Sequence, residues 1–199
     1  MATDLNIAAR IKMLLDSLGN PALAPFLAEW PGNAAHRAVT ARNLPVVRWL
    51  ADITGDAAAF GVDLVAAVCR QASTLAWRQT YTANDLDAAF LDNYGWTEIL
   101  GSSGPWASER IACGFLILGP STHYPRHRHE AEEVYLPLSG TAAWKQGGGA
   151  WRERPPGTLI HHGRDEPHAM RTGVSPLLAL YVWRSADLAQ KARLEPESP

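Results

Sequence analysis

His127-Arg-His129-Glu-Ala-Glu-Glu133-Val-Tyr135 gathers two imidazoles, a carboxylate and a phenol, with Gly140 soon after and Pro167-His168 downstream. Groups of these types can hold a metal ion with a base beside it. A continuous strand would set His127 and Glu133 roughly 20 Å apart, at about 3.3 Å per residue, too far to share an ion. If the chain reverses at Glu130-Ala131-Glu132, His127 and His129 project from one strand end, and Glu133 and Tyr135 project from one face of the returning strand. All four then converge. His168 is the expected further ligand, because Pro167 fixes the backbone before it and an apolar strand follows at Leu177 to Trp183; His161 and His162 are the alternatives for that place. Three neutral imidazoles and a carboxylate suit Fe(II), Zn(II), Mn(II), Co(II) or Ni(II) better than Ca(II) or a thiolate-rich structural zinc site.

Such a site has a use for its phenol. A substrate carboxylate on the ion would place positive charge where negative charge builds up as the adjacent Cα proton leaves. Tyr135, two residues beyond Glu133 on the same strand face, is the expected base. A free phenol, with a pKa near 10, is a poor base at neutral pH, and a nearby dication favours the phenolate. The plainer alternative is a tyrosine that fills the interior with its hydroxyl satisfied.

The elements that must position these groups divide the chain. Ile7, Ile11, Leu14, Leu15 and Leu18 recur at helical spacing, with Asp4 as N-cap and Gly19-Asn-Pro21 as stop. Val46, Trp49, Leu50 and Ile53 repeat the pattern behind Pro45, and Leu64, Val65, Val68, Ala72 and Leu75 repeat it again. After Gly104-Pro105 the runs are short and strand-like, Arg110 to Leu118 first, and are punctuated by Gly147-Gly-Gly149 and Pro155-Pro-Gly157. The expected fold is mainly β with α: a helical extension over 1–105, a β-barrel carrying the site over 106–188, and a polar tail over 189–199 that frays from Glu195 to Pro199.

The 199 residues, 47% hydrophobic, suffice for a sizeable core. A net charge of −2 gives no basic excess for nucleic acid or anionic membrane. No signal-like or membrane-spanning run is visible, so the expected location is cytoplasmic. Cys69 and Cys113 read as buried free thiols. No glycine pattern calls for an organic cofactor. The expected partner is a small molecule, with a homo-oligomer left open.

His127-x-His129-x3-Glu133-x6-Gly140 resembles the first cupin motif, and Pro155-Pro-Gly157 through Pro167-His168 resembles the second. The wider wording, from Tyr124-Pro-x-His127 to Tyr135-Leu-Pro-Leu-Ser-Gly140 with Trp77-Arg-Gln-Thr-Tyr81 and Tyr181-Val-Trp183, is similar to bacterial cupin-type dimethylsulfoniopropionate (DMSP) lyases. The resemblance implies a double-stranded β-helix barrel and one divalent transition-metal ion, Fe(II), Zn(II) or Mn(II). It implies Tyr135 as the base of a β-elimination yielding acrylate and dimethyl sulfide, and pocket residues at Tyr124 and Trp183. Aromatic faces stabilise a sulfonium, so Tyr181 is expected to join them, with His123 orienting the substrate carboxylate. A cupin dioxygenase or isomerase acting on a small carboxylic acid, or a non-catalytic ligand-binding cupin, would use the same ligands.

Overall fold

Two antiparallel sheets face one another in the computed structural model, which describes residues 7–53 and 61–196. The larger sheet contains β1 (Trp77–Arg78), β2 (Tyr94–Gly101), β4 (Ile111–Leu118), β11 (Leu177–Arg184), β6 (Glu132–Ser139) and β9 (Ile160–His162) in that spatial order, with β3 (Trp106–Ala107) parallel to β2. The smaller contains β12 (Arg193–Leu194), β5 (His123–Arg128), β10 (His168–Thr172), β7 (Ala142–Gln146) and β8 (Arg152–Arg154). From β4 onward the chain crosses between the sheets at every step except β7 to β8, as in the double-stranded β-helix of cupins.

The strand period of two divides the apolar residues between two cores. On β6, Val134, Leu136 and Leu138 face outward into a cluster with α1 (Ile7–Ser17), α2 (Ala24–Ala28), α3 (Leu50–Ile53) and α4 (Val62–Gln71). Tyr135 faces the opposite way, into the barrel, with Tyr124, Trp144, Met170 and Tyr181. The helices therefore cover the outer face of the larger sheet and leave the interior to the site. α1 buries Ile7, Ile11, Leu14 and Leu15, and the chain turns at Gly19, whose φ is +57°. The expected N-cap Asp4 lies outside the described residues. Leu75 is buried but beyond α4, so its periodicity continues past the end of the helix.

Gly140, the last residue of the first motif, has φ +79°, and a Cβ there would stand 2.0 Å from the Pro176 carbonyl oxygen. Only glycine lets β6 end so close to the start of β11.

The expected boundary at residue 105 is too late. β1 and β2 already belong to the larger sheet, and β2 pairs along its length with β4. Tyr94–Gly101 hides as a strand because it is covered on both faces and carries Thr97 and Glu98 at its centre, so no polar alternation marks it. The expected tail is corrected as well. Arg193 and Leu194 pair with Arg128 and His127 on β5, capping a sheet edge that would otherwise be open. Glu195, expected to fray, accepts from Arg128 Nε at 2.6 Å and lies 3.5 Å from Arg126 Nε. The rest of that tail, from 197 on, lies outside the described residues. No helix among the described residues is long and apolar enough to cross a membrane.

Partly exposed ion pairs contribute about 0.2–1 kcal/mol each. Glu195→Ala is expected to cost about 1 kcal/mol and lower Tm by about 2–4 °C, read by thermal unfolding; an unchanged Tm would mean that the backbone pairing alone holds the strap.

Candidate active site

A one-residue irregularity in β5 sets the inner wall of the site. Arg171 pairs with His123 and Met170 with Tyr124, but His168 pairs with His127, so β5 carries one extra residue between Tyr124 and His127. That bulge falls at Pro125-Arg126, where the missing N–H of proline costs no ladder bond. It places Tyr124 and His127 on the same buried face although three residues separate them. By the same shift His123 stands outside, exposed, with its ring 5.8 Å from that of Trp151. The expectation that His123 orients substrate is therefore not met: it does not line the cavity.

The chain then reverses through 129–131 and enters β6, crossing from one sheet to the other. Nitrogen and oxygen atoms of His129, Glu133 and His168 come within 4.8 Å of one another, all three residues buried. The His127 ring stands beside them, 4.2 Å from that of His168. His161 points away: it is exposed, and its Nε2 lies 2.7 Å from Glu132 Oε1. His162 is wholly buried and stacks on His168 with ring centroids 4.0 Å apart. Of the alternatives for the last ligand, His168 is the one that meets Glu133.

Hydrogen bonds fix which nitrogen each imidazole offers. Nδ1 of His127 lies 2.8 Å from the Pro125 carbonyl, that of His129 2.9 Å from Ala131, and that of His168 2.9 Å from Glu166. A carbonyl oxygen only accepts, so each Nδ1 carries the proton and each Nε2 presents a lone pair to the site. His168 Nε2 is buried without a hydrogen-bond partner, 3.4 Å from Glu133 Oε2. His129 Nε2 lies 2.9 Å from the same oxygen. Two lone pairs at that separation repel unless a cation lies between them, and the donor set fits a divalent transition ion.

Protonation follows the same logic. Burial pushes His127 down to about 3 and His168 well below the usual imidazole range, so both are neutral and ready to ligate. Burial also acts against charge on His129, but the Glu133 carboxylate outweighs it and the pKa is raised. A proton can therefore take the cation's place between His129 and Glu133.

The second oxygen of Glu133 is held too: Trp183 Nε1 donates to Oε1 at 2.6 Å. Trp183 and Tyr181 stand directly across β11 from Glu133 and Tyr135. Tyr135 is buried, and burial first, then the Glu133 charge, raise its pKa well above that of a free phenol. Tyr124 lies flat on His127, ring centroids 3.9 Å apart and 8° from parallel, with its hydroxyl 3.2 Å from that of Tyr81 and 3.5 Å from that of Tyr94. A cavity of about 410 Å³ opens onto this group, with His127, His129, Glu133 and Tyr135 in its lining and Tyr124, Tyr181 and Trp183 among its aromatic walls. Sequence reasoning missed the wall formed by Leu188 to Ala192, which no motif marks, and the support of Tyr124 by Tyr94, which lies in the unrecognised β2.

Comparison with known proteins places this geometry. Residues 23–179 match the family described as dimethylsulfoniopropionate lyase. This chain belongs to the DMSP lyase family. The DMSP lyase DddQ of Ruegeria pomeroyi is 34% identical over 167 residues, which span 82% of this chain and 81% of that protein. A crystal structure of DddQ from the same organism superposes with a TM-score of 0.80 at 30% identity, covering 96% of this chain and 97% of the other. A structure solved with the DMSP lyases RdDddP and RnDddQII superposes equally well, TM-score 0.80 at 29% identity, covering 96% and 100%. The family is one of carbon–sulfur lyases on a cupin barrel.

Two outcomes follow for metal binding. Trp183→Phe keeps an aromatic ring and removes the donor to Glu133, and is expected to weaken metal binding by about 10-fold or more, as measured by competition with a chelating dye; unchanged affinity would show that Oε1 needs no partner. Because His129 must lose its proton before it ligates, affinity is expected to fall about tenfold per pH unit below its raised pKa and to level off above it. Calorimetry in buffers of different ionisation enthalpy would count the proton released.

Proposed function

We propose that this protein is a metal-dependent lyase that cleaves DMSP to acrylate and dimethyl sulfide, with Tyr135 as the base. The observation that carries the reading is the placing of Tyr135 two residues from Glu133 on one interior strand face, opposite Tyr181 and Trp183. His127, His129, Glu133 and His168 would hold one Fe(II), Zn(II) or Mn(II) ion. Bound there, the cation supplies Lewis acidity to a substrate carboxylate and positive charge that favours the Tyr135 phenolate.

Tyr135 then takes the Cα proton, the Cβ–S pair departs with sulfur, and the Cα–H pair becomes the new double bond. The products are neutral dimethyl sulfide, acrylate and one proton, so no electron acceptor is needed. Tyr124, Tyr181 and Trp183 form walls against which a sulfonium can rest, since ring faces attract a cation without offering it a counter-ion. The burial of Tyr124 and Tyr181 would keep water from solvating the carbanion-like transition state. The raised pKa of Tyr135 makes the cation necessary: without it the hydroxyl stays protonated at neutral pH.

Headspace dimethyl sulfide from purified protein given DMSP, with each metal and with chelator, tests the reading. Tyr135→Phe is expected to retain metal and lose about 10²–10⁴-fold in rate, whereas His129→Ala loses both. Near-normal turnover by Tyr135→Phe would remove the base, and no dimethyl sulfide with any metal would remove the substrate.

A further inference from the structure

His162 is a buried imidazole that the proposed reaction does not use. It faces the barrel interior directly across β9 from Glu133, so that Trp183, Glu133 and His162 form one row over three neighbouring strands. Its ring lies 4.0 Å from that of His168, only 16° from parallel. Gln146, the β7 partner of His168, reaches it from the other sheet.

The orientation of Gln146 is fixed by its neighbours. Arg154 donates to Oε1 at 3.1 Å, and Nε2 donates to the His161 carbonyl at 2.8 Å. The remaining hydrogen of that amide faces His162 Nδ1 at 3.4 Å. An amide nitrogen only donates, so Nδ1 of His162 accepts and the proton sits on Nε2. This is the opposite tautomer from His127, His129 and His168. Nε2 of His162 is buried and has no acceptor. In this state His162 has no lone pair to give a metal, and what it gives His168 is the face of its ring.

We propose that His162, pinned by Gln146, is a positioning residue that sets the ring plane of His168 and thereby the affinity of the metal site. His168 has one hydrogen bond, from Nδ1 to the Glu166 carbonyl, and a single bond of this kind lets the ring pivot about it. The stacked imidazole removes that freedom, so Nε2 stays aimed at the space shared with Glu133 and His129. The clamp also ties β9 of the larger sheet to β7 and β8 of the smaller at the metal end of the barrel.

The inference rests on the reading of His127, His129, Glu133 and His168 as a metal site, and the test separates the two. Affinity for Co(II) is measured by chelator competition, together with the Co(II) visible spectrum and the Tm of metal-free protein, for wild type, His162→Leu, His162→Phe, Gln146→Leu and His168→Ala. His162→Leu is expected to lose more than tenfold in affinity and to shift the Co(II) bands with metal-free Tm unchanged. His162→Phe, which keeps a flat ring, should stay within about threefold of wild type, with Gln146→Leu between the two. If His162→Leu binds like wild type while His168→Ala does not, the positioning role is wrong and the metal site stands. If His162→Phe loses metal as completely as His168→Ala, His162 is a ligand. If His168→Ala itself binds normally, the metal-site reading fails first. Should His162→Leu unfold, comparison of the Phe and Gln146 variants still decides, since loss in neither would leave the clamp without effect.

Discussion

Glu133 is fully buried inside a protein barrel, and a carboxylate in that position is tolerated only when its charge is met on every side. The structure around it reads as an answer to that constraint. Trp183 holds one oxygen from the neighbouring strand, while His129 and His168 bring lone pairs to the other from the opposite sheet. Neutral lone pairs offset no charge. The charge is met by a proton on His129 or by a cation in the same place, where side chains of both sheets converge.

Because the histidines and Glu133 come from the two sheets and the crossing between them, their aim depends on backbone details rather than on side-chain reach. The extra residue in β5 turns His127 inward beside Tyr124, and the crossing at 129–131 turns His129 toward β6. Backbone carbonyls within two residues then fix each ring. The same carbonyls would make each imidazole a stronger donor to a cation, since a hydrogen bond from Nδ1–H pushes density toward Nε2. Local chain geometry thus sets both the direction and the basicity of the site.

This explains what the sequence made legible. The approach of His129 to Glu133 could be expected because a tight reversal is the one way for such neighbours to meet, and Gly140 because it closes the motif that resembles cupins; its backbone leaves no room for Cβ. α1, α3 and α4 announced themselves by period, whereas α2, only five residues long, did not. β2 did not, being covered on both faces, and β12 did not, because it is two residues long in a polar segment and its ordering comes from pairing with β5 and from Arg126 and Arg128, far away in sequence. His123 was misplaced for a related reason: alternation assigns it the face of His127, and only the bulge, a property of pairing with β10, reverses that. Trp183 was expected to face a sulfonium; its N–H bond to Glu133 depends on the β11–β6 register, which composition does not encode.

The constraint on Glu133 also bears on how Tyr135 can be a base at all. The dry interior that strengthens every electrostatic contact also disfavours the phenolate, and the nearby carboxylate adds to that. A tyrosine moved toward solvent would ionise more readily and would lose its place beside the substrate Cα. A tyrosine kept inside needs positive charge close by, and in the proposed reaction Glu133 would hold that charge as a buried anion beside it. The carboxylate that raises the phenol's pKa is thus the group that would hold the ion able to lower it. With the proposed metal and base coupled through one strand, two residues apart, the phenol would be a useful base only where a cation could also hold the substrate carboxylate.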